Sequence, residues 1–189
     1  NFSFFQGTGQ ASTDEQLANI TGQRNYFWNV DFGGMGNAVG AGRAGSYVIL
    51  LNGAQENTFS NCTIGVDTIA RTAANASVKC TTAATRNIFE DCLFPVYATA
   101  GTPVVVNVNA VGSIDRFLLV RNSTIINSGT SALAAVVDYN ASQGGFVFLD
   151  NCSAMQCTDW TAADTSVVQI TGPVPNGDTS GMAVASDKT

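Results

Sequence analysis

Apolar residues along the chain come in short bursts rather than at helical intervals, and the bursts repeat. Aligning the chain on an Asn or Asp that precedes a small residue gives six segments. They are "NFSFF" at Asn1, "NVDFGG" at Asn29, "NCTIG" at Asn61, "DCLFP" at Asp91, "NSTII" at Asn122 and "NCSAM" at Asn151. Their spacings are 28, 32, 30, 31 and 29 residues. Two places before the polar residue stands Phe27, Phe59, Phe89, Val120 or Leu149, and three places after it Phe4, Phe32, Ile64, Phe94, Ile125 or Ala154. The position just after it holds Val30, Cys62, Cys92, Ser123 or Cys152. Self-similarity at a fixed period of this size marks a repeat architecture.

A second column lies upstream of the corner segments: "YVILLN" (47–52), "ASVKCT" (76–81), "VVVNVN" (104–109), "AAVVDY" (134–139) and "SVVQIT" (166–171). These β-branched runs read as short strands, each followed by turn-forming residues. Every period therefore holds at least two strands. Helical repeats need amphipathic segments of ten or more residues, which are absent. Leucine-rich repeats need a leucine ladder, and the chain has only eight leucines. The pattern predicts an all-β fold: a single-stranded, right-handed parallel β-helix of about six coils, each roughly 30 residues, with a shaft about 29 Å long.

In such a coil the Asn/Asp column sits at a tight corner, because Asn and Asp tolerate the left-handed backbone best after glycine. The expected corner ladder is Asn1, Asn29, Asn61, Asp91, Asn122 and Asn151, with stacked side chains bonding one another. The expected core stack is Phe27, Phe32, Phe59, Cys62, Ile64, Phe89, Cys92, Phe94, Val120, Ile125, Leu149 and Cys152. Loops are expected to bulge at 33–45 and 66–75. The shaft is expected over 1–170, with a non-repetitive cap or arm at 171–189. The opening "NFSFFQGTGQ" has no Met and no leader-like segment, and it reads as starting inside a pattern that continues upstream.

Composition narrows the function. Only 12% of residues are charged, the net charge is −6, and the eight Lys and Arg are scattered. No basic patch is left to displace counterions from nucleic acid. The longest apolar runs fall far short of the roughly 20 residues that cross a bilayer. There is no histidine, which removes the commonest general base and most zinc chemistry, and the five cysteines include no CxxC pair. No cofactor is expected. The Cys62, Cys92 and Cys152 column is readable as a redox pair or metal ladder, but buried small hydrophobes are the favoured reading; Cys62 and Cys92 are the two close enough to cross-link. Asn-x-Ser/Thr triplets at Asn1, Asn19, Asn61, Asn75, Asn122, Asn140 and Asn151 are better read as corner and chance occurrences than as glycan sites. Asp31, Asp67, Asp91, Asp115 and Asp150 are the acids that a β-helix glycosidase would pair; none forms a local cluster in sequence. Trp28, Trp160, Tyr26 and Tyr47 are candidates for sugar stacking, with Trp28 more naturally covering the shaft or meeting a partner.

The motif N-x-F-x-N/D-C-x-I/F at about thirty-residue spacing resembles the right-handed parallel β-helix class, the pectate-lyase-like superfamily, over essentially the whole chain. The catalytic hallmarks of that class do not carry over: there is no Gly-His-Gly and no paired-Asp cluster. Within the class, "ENTFSNCTIGVDTIARTAANASV", "TRNIFEDCLFP" and "DTSGMAVAS" resemble β-helical structural proteins of tailed bacteriophages. That resemblance implies a non-enzymatic capsid or head-decoration protein on the particle surface. Its partners would be other capsid subunits and its own copies, as a trimer. A tailspike-type polysaccharide-degrading or carbohydrate-binding protein and a bacterial surface adhesin are the alternatives.

Overall fold

The computed structural model describes residues 2–5, 14–108, 110–139, 144–161, 168–170, 174–175 and 183–184. Asn1, Asn140 and most of the 171–189 segment lie outside these. After β1 (Phe2–Phe4), five turns each contribute three strands. They are β2 (Gln16–Ile20), β3 (Tyr26–Trp28) and β4 (Val30–Phe32); then, after a short helix α1 (Ala38–Ala41), β5 (Tyr47–Asn52), β6 (Thr58–Ser60) and β7 (Thr63–Ile64); then β8 (Ala76–Thr81), β9 (Ala84–Glu90) and β10 (Leu93–Val96). The fourth turn is β11 (Val104–Val108), β12 (Ile114–Arg121) and β13 (Thr124–Asn127), and the fifth β14 (Val137–Tyr139), β15 (Gly144–Asp150) and β16 (Ser153–Met155). β17 (Val168–Ile170) follows, and β18 (Val174–Pro175) pairs antiparallel with β19 (Ala183–Val184).

Every third strand joins the same sheet. Sheet A runs β1-β4-β7-β10-β13-β16, sheet B β2-β5-β8-β11-β14, and sheet C β3-β6-β9-β12-β15-β17. All three are parallel, so the chain is a parallel β-solenoid of five complete turns with one extra strand at each end, where the sequence columns predict about six coils. Each turn has three strands, where the sequence columns predict at least two. The third is the segment just upstream of the corner, which in the first two turns is only three residues long.

Register sets the core. Phe27 pairs with Phe59, Phe59 with Phe89, Phe89 with Val120 and Val120 with Leu149. Strands about 4.8 Å apart hold like side chains in stacking contact. The Phe27–Phe59 rings lie 4.7 Å apart at 11°, and Phe59–Phe89 lie 4.5 Å apart at 8°. Phe94, Ile64, Ile125 and Phe32 line the sheet A side, and every residue of the core stack except half-buried Phe27 is buried. Such burial contributes about 1.5–3 kcal/mol per large apolar side chain.

Three expectations are corrected. The 166–171 run does not continue the sheet B column: β17 pairs with β15 in sheet C, and the sheet B place is taken by a single bridge from Val137 to Thr161. Only 21 residues separate Val147 from its partner Val168, so the last turn is shorter than the period. The 33–45 segment is not simply an outward bulge, because Gly33, Gly34, Met35, Gly40 and Ala41 are buried. The 66–75 segment likewise turns Arg71 and Asn75 inward.

Candidate functional site

The five described corner residues all have left-handed backbone: φ is 55° at Asn29, 54° at Asn61 and Asp91, 48° at Asn122 and 50° at Asn151. The amide of Asn61 donates Nδ2 to Asn29 Oδ1 at 3.2 Å, and Asn151 donates to Asn122 Oδ1 at 3.0 Å. Except for Asn29, which is half-buried, these side chains are exposed.

A second ladder runs from exposed Asn25 to buried Asn57 and Asn87. Asn57 Oδ1 accepts from Asn25 N (2.9 Å) and Asn25 Nδ2 (2.8 Å), while Asn57 Nδ2 donates to Asn87 Oδ1 (3.0 Å) and Gly22 O (3.0 Å). Asn87 Oδ1 also accepts from Asn57 N at 3.1 Å, and Asn87 Nδ2 donates to Ala54 O at 2.8 Å. This ladder satisfies the backbone where sheet B turns into sheet C. Buried amides need such partners, since an orphaned one costs about 1–3 kcal/mol. At the fourth turn the equivalent residue is Leu118, paired with Asn87, and the ladder stops.

Charge gathers beside it. Arg24, Glu56 and Arg86 are left-handed at φ 57°, 56° and 54° and stack on successive turns. Glu56 accepts from Arg24 Nε at 2.6 Å and from Arg86 Nη2 at 2.6 Å, and these two arginines hold its carboxyl below the usual range. Arg71 is buried and donates only to neutral acceptors: Asn75 Oδ1 (2.7 Å), Ser77 Oγ (3.2 Å), Asn75 O (2.8 Å) and Val104 O (2.8 Å). Burial pushes its guanidinium down to about 9, which leaves it charged at neutral pH. Arg71 ties the 66–75 loop to β11.

All five cysteines are free and buried. Burial pushes Cys80 and Cys157 up to about 12 and Cys152 to about 11. Among the described residues no group of three or more His, Cys, Asp or Glu side chains is placed to hold a metal.

Two outer surfaces carry recognition chemistry. On sheet C, Ile88, Leu119 and Phe148 stand in register on successive turns, with Phe117 opposite Phe146 beside them. Phe146 is 44% exposed and the others half-buried, and the rings of Phe117 and Phe146 each contact Phe148 at 6.3 and 6.1 Å. Arg121, bonded to Glu90 at 2.5 Å and facing Asp150, borders this apolar stripe. On sheet A, a groove of about 370 Å³ is lined by Phe5, Asp31, Thr63, Asp67 and Thr68 among others. It brings together Asp31 and Asp67, 36 residues apart in sequence. The remaining candidate acids lie elsewhere: Asp115 pairs with Arg116, and Asp91 and Asp150 sit near Arg121.

Of the aromatic candidates, Trp160 and Tyr47 are buried and offer no platform. Tyr26 and Trp28 are each 63% exposed, and with Phe2 and Phe4 they line an open hollow of about 440 Å³ at the first turn. Sequence reasoning missed the Asn25–Asn57–Asn87 ladder, although its spacing of 32 and 30 residues equals that of the corners and two of its members open the quoted motif. Compared with protein-family models, curated proteins and solved structures, the chain matches none.

Proposed function

We propose that the chain is a structural protein of a bacteriophage particle, a capsid or head-decoration component of the pectate-lyase-like β-helix class that works through subunit contacts. The observation that carries this reading is the apolar stripe on sheet C. It runs along the stacking direction over three turns, so a neighbouring copy lying alongside the shaft would cover all of it at once. An exposed apolar patch bordered by charge is the usual mark of an association surface. Three copies around an axis parallel to the shaft would bury their stripes together.

The groove holding Asp31, Asp67 and exposed Phe5 favours a second reading, a tailspike-type protein that binds or cleaves polysaccharide. An exposed ring and two carboxylates along one groove are components that a sugar-binding surface uses.

Quantitative mass spectrometry of purified phage particles separates the two. Hundreds of copies per particle would support the capsid role. A handful would shift the assignment to the tailspike and to a depolymerase assay on Asp31→Asn and Asp67→Asn variants. Absence from the particle would overturn both and favour a bacterial surface adhesin.

A further inference from the structure

The corner column places two of the buried thiols on neighbouring turns. Thr63 pairs with Leu93, so the residues immediately before them, Cys62 and Cys92, stand opposite each other across one strand spacing. That spacing, about 4.8 Å between Cα atoms, lies within the 4.4–6.8 Å range that a disulfide spans. Leu93 N donates to Cys62 O at 2.9 Å, which holds the two residues side by side. Each sulfur is also held by backbone carbonyls: Cys62 Sγ by Phe27 O (3.5 Å) and Ser60 O (3.4 Å), Cys92 Sγ by Phe59 O (3.4 Å) and Glu90 O (3.3 Å). Both sulfurs thus lean toward the preceding turn and stand one above the other in the column.

We propose that Cys62 and Cys92 are an oxidative cross-linking site, at which a peroxide converts two free thiols into a covalent staple between the second and third turns. In the first step the Cys62 thiolate attacks the peroxide O–O bond, giving a sulfenic acid and hydroxide. In the second, Cys92 sulfur displaces the sulfenic oxygen, the S–S bond forms, and the oxygen leaves as water. Overall two thiols give up two electrons and two protons, and one hydrogen peroxide becomes two waters. The neighbouring Cys92 thiol lowers the pKa of Cys62, while Cys62 and burial raise that of Cys92, so Cys62 is the member that supplies the thiolate.

The column contains its own control. Below Cys92 the next turn carries Ser123, whose Oγ accepts from Cys92 N at 3.1 Å and donates to Arg121 O at 2.7 Å. Cys152, one turn further on, therefore has Ser123 rather than a thiol in the adjacent place. Cys80 pairs with Leu51, and Cys157 bridges to Leu133. This inference does not depend on the proposed particle role.

The test is to treat the folded full chain with hydrogen peroxide, denature it, block remaining thiols with iodoacetamide, and digest with trypsin without reductant. The expected product joins peptide 44–71 to peptide 87–116, with Cys80, Cys152 and Cys157 alkylated. The cross-link closes a loop of about 30 residues, so the thermal midpoint should rise by about 5–10 °C and fall back on adding dithiothreitol. Cys62→Ser, which places in this column the side chain Ser123 already supplies there, should remain folded and show neither change. Complete alkylation of Cys62 and Cys92 after peroxide would overturn the proposal. So would equal cross-linking through Cys152, or a bond that leaves the midpoint unmoved.

Discussion

Replacing Asn57 with Ala tests whether the buried amide ladder, rather than the exposed corner ladder, holds successive turns in register. The substitution removes four hydrogen bonds: two accepted from Asn25, and two donated to Gly22 O and Asn87 Oδ1. The bond from Asn57 N to Asn87 Oδ1 survives, and Gly22 and Asn25 lie near solvent, where water can replace what they lose. Four bonds at about 1 kcal/mol each, less the solvated share and plus the vacated side-chain volume, give about 3 kcal/mol. For a chain of this size that is a fall of about 6–12 °C in the thermal midpoint. Asn61→Ala is the comparator. It loses one exposed 3.2 Å bond and forces alanine to φ near 54°, costing about 1–2 kcal/mol. Fluorescence of buried Trp160 reports unfolding, while exposed Trp28 contributes a nearly constant background. A fall for Asn57→Ala no larger than that for Asn61→Ala would refute the reasoning and return the register to the Phe stack alone.

Other substitutions probe separate parts of the molecule. Asn61→Gly should restore most of what Asn61→Ala loses, because glycine accepts the left-handed corner without strain, and paired thermal melts would read this. Arg71→Met should cost about 2–4 kcal/mol by leaving Asn75 Oδ1, Ser77 Oγ and the Asn75 and Val104 carbonyls without the donor they share; limited proteolysis should find new cleavage within 66–75. Glu56 has a lowered folded pKa, so its stabilising effect is fully present above its ordinary value near 4.5 and disappears as pH falls through the lowered value. Glu56→Gln should therefore lower stability at neutral pH, flatten the acid limb of a stability-versus-pH curve, and converge with the unaltered chain at low pH. Phe146→Asp should leave the fold intact and dissociate any oligomer held by sheet C, as read by sedimentation velocity.

The period, the corner positions and four of the sheet B strands, within 47–52, 76–81, 104–109 and 134–139, were legible because each recurs with the same residue class at the same offset. The sheet C strands of the first two turns were not, since β3 and β6 leave three residues for an alternation to declare itself. The buried asparagine ladder was written at the corner spacing but is cut short by Leu118 and Val147, which erases the column just where a longer run would expose it. The sheet assignment of 166–171 failed because the final turn drops about a third of its length, and a fixed period carries no warning of that. The groove that joins Asp31 to Asp67 depends on the path of the 65–68 segment. Gly65, at φ 116° and with its backbone close against Pro95 O, sets that path. The sheet C stripe could be read only after registration, because Ile88, Leu119 and Phe148 have no shared motif around them.

The change from Asn87 to Leu118 at the same place in consecutive turns also bears on how such a gene can grow. A unit beginning at Asn57 and ending at Arg86, copied in place, would put an asparagine above an asparagine, a phenylalanine above a phenylalanine and a cysteine above a cysteine. The new coil would find on both sides the neighbours its parent had. A copy spanning Leu118 would set leucine between a leucine and Val147 and would add nothing to the amide ladder. A coil inserted in the first half of the shaft thus lengthens the amide ladder and the apolar stack together, while one inserted in the second half lengthens the apolar stack alone.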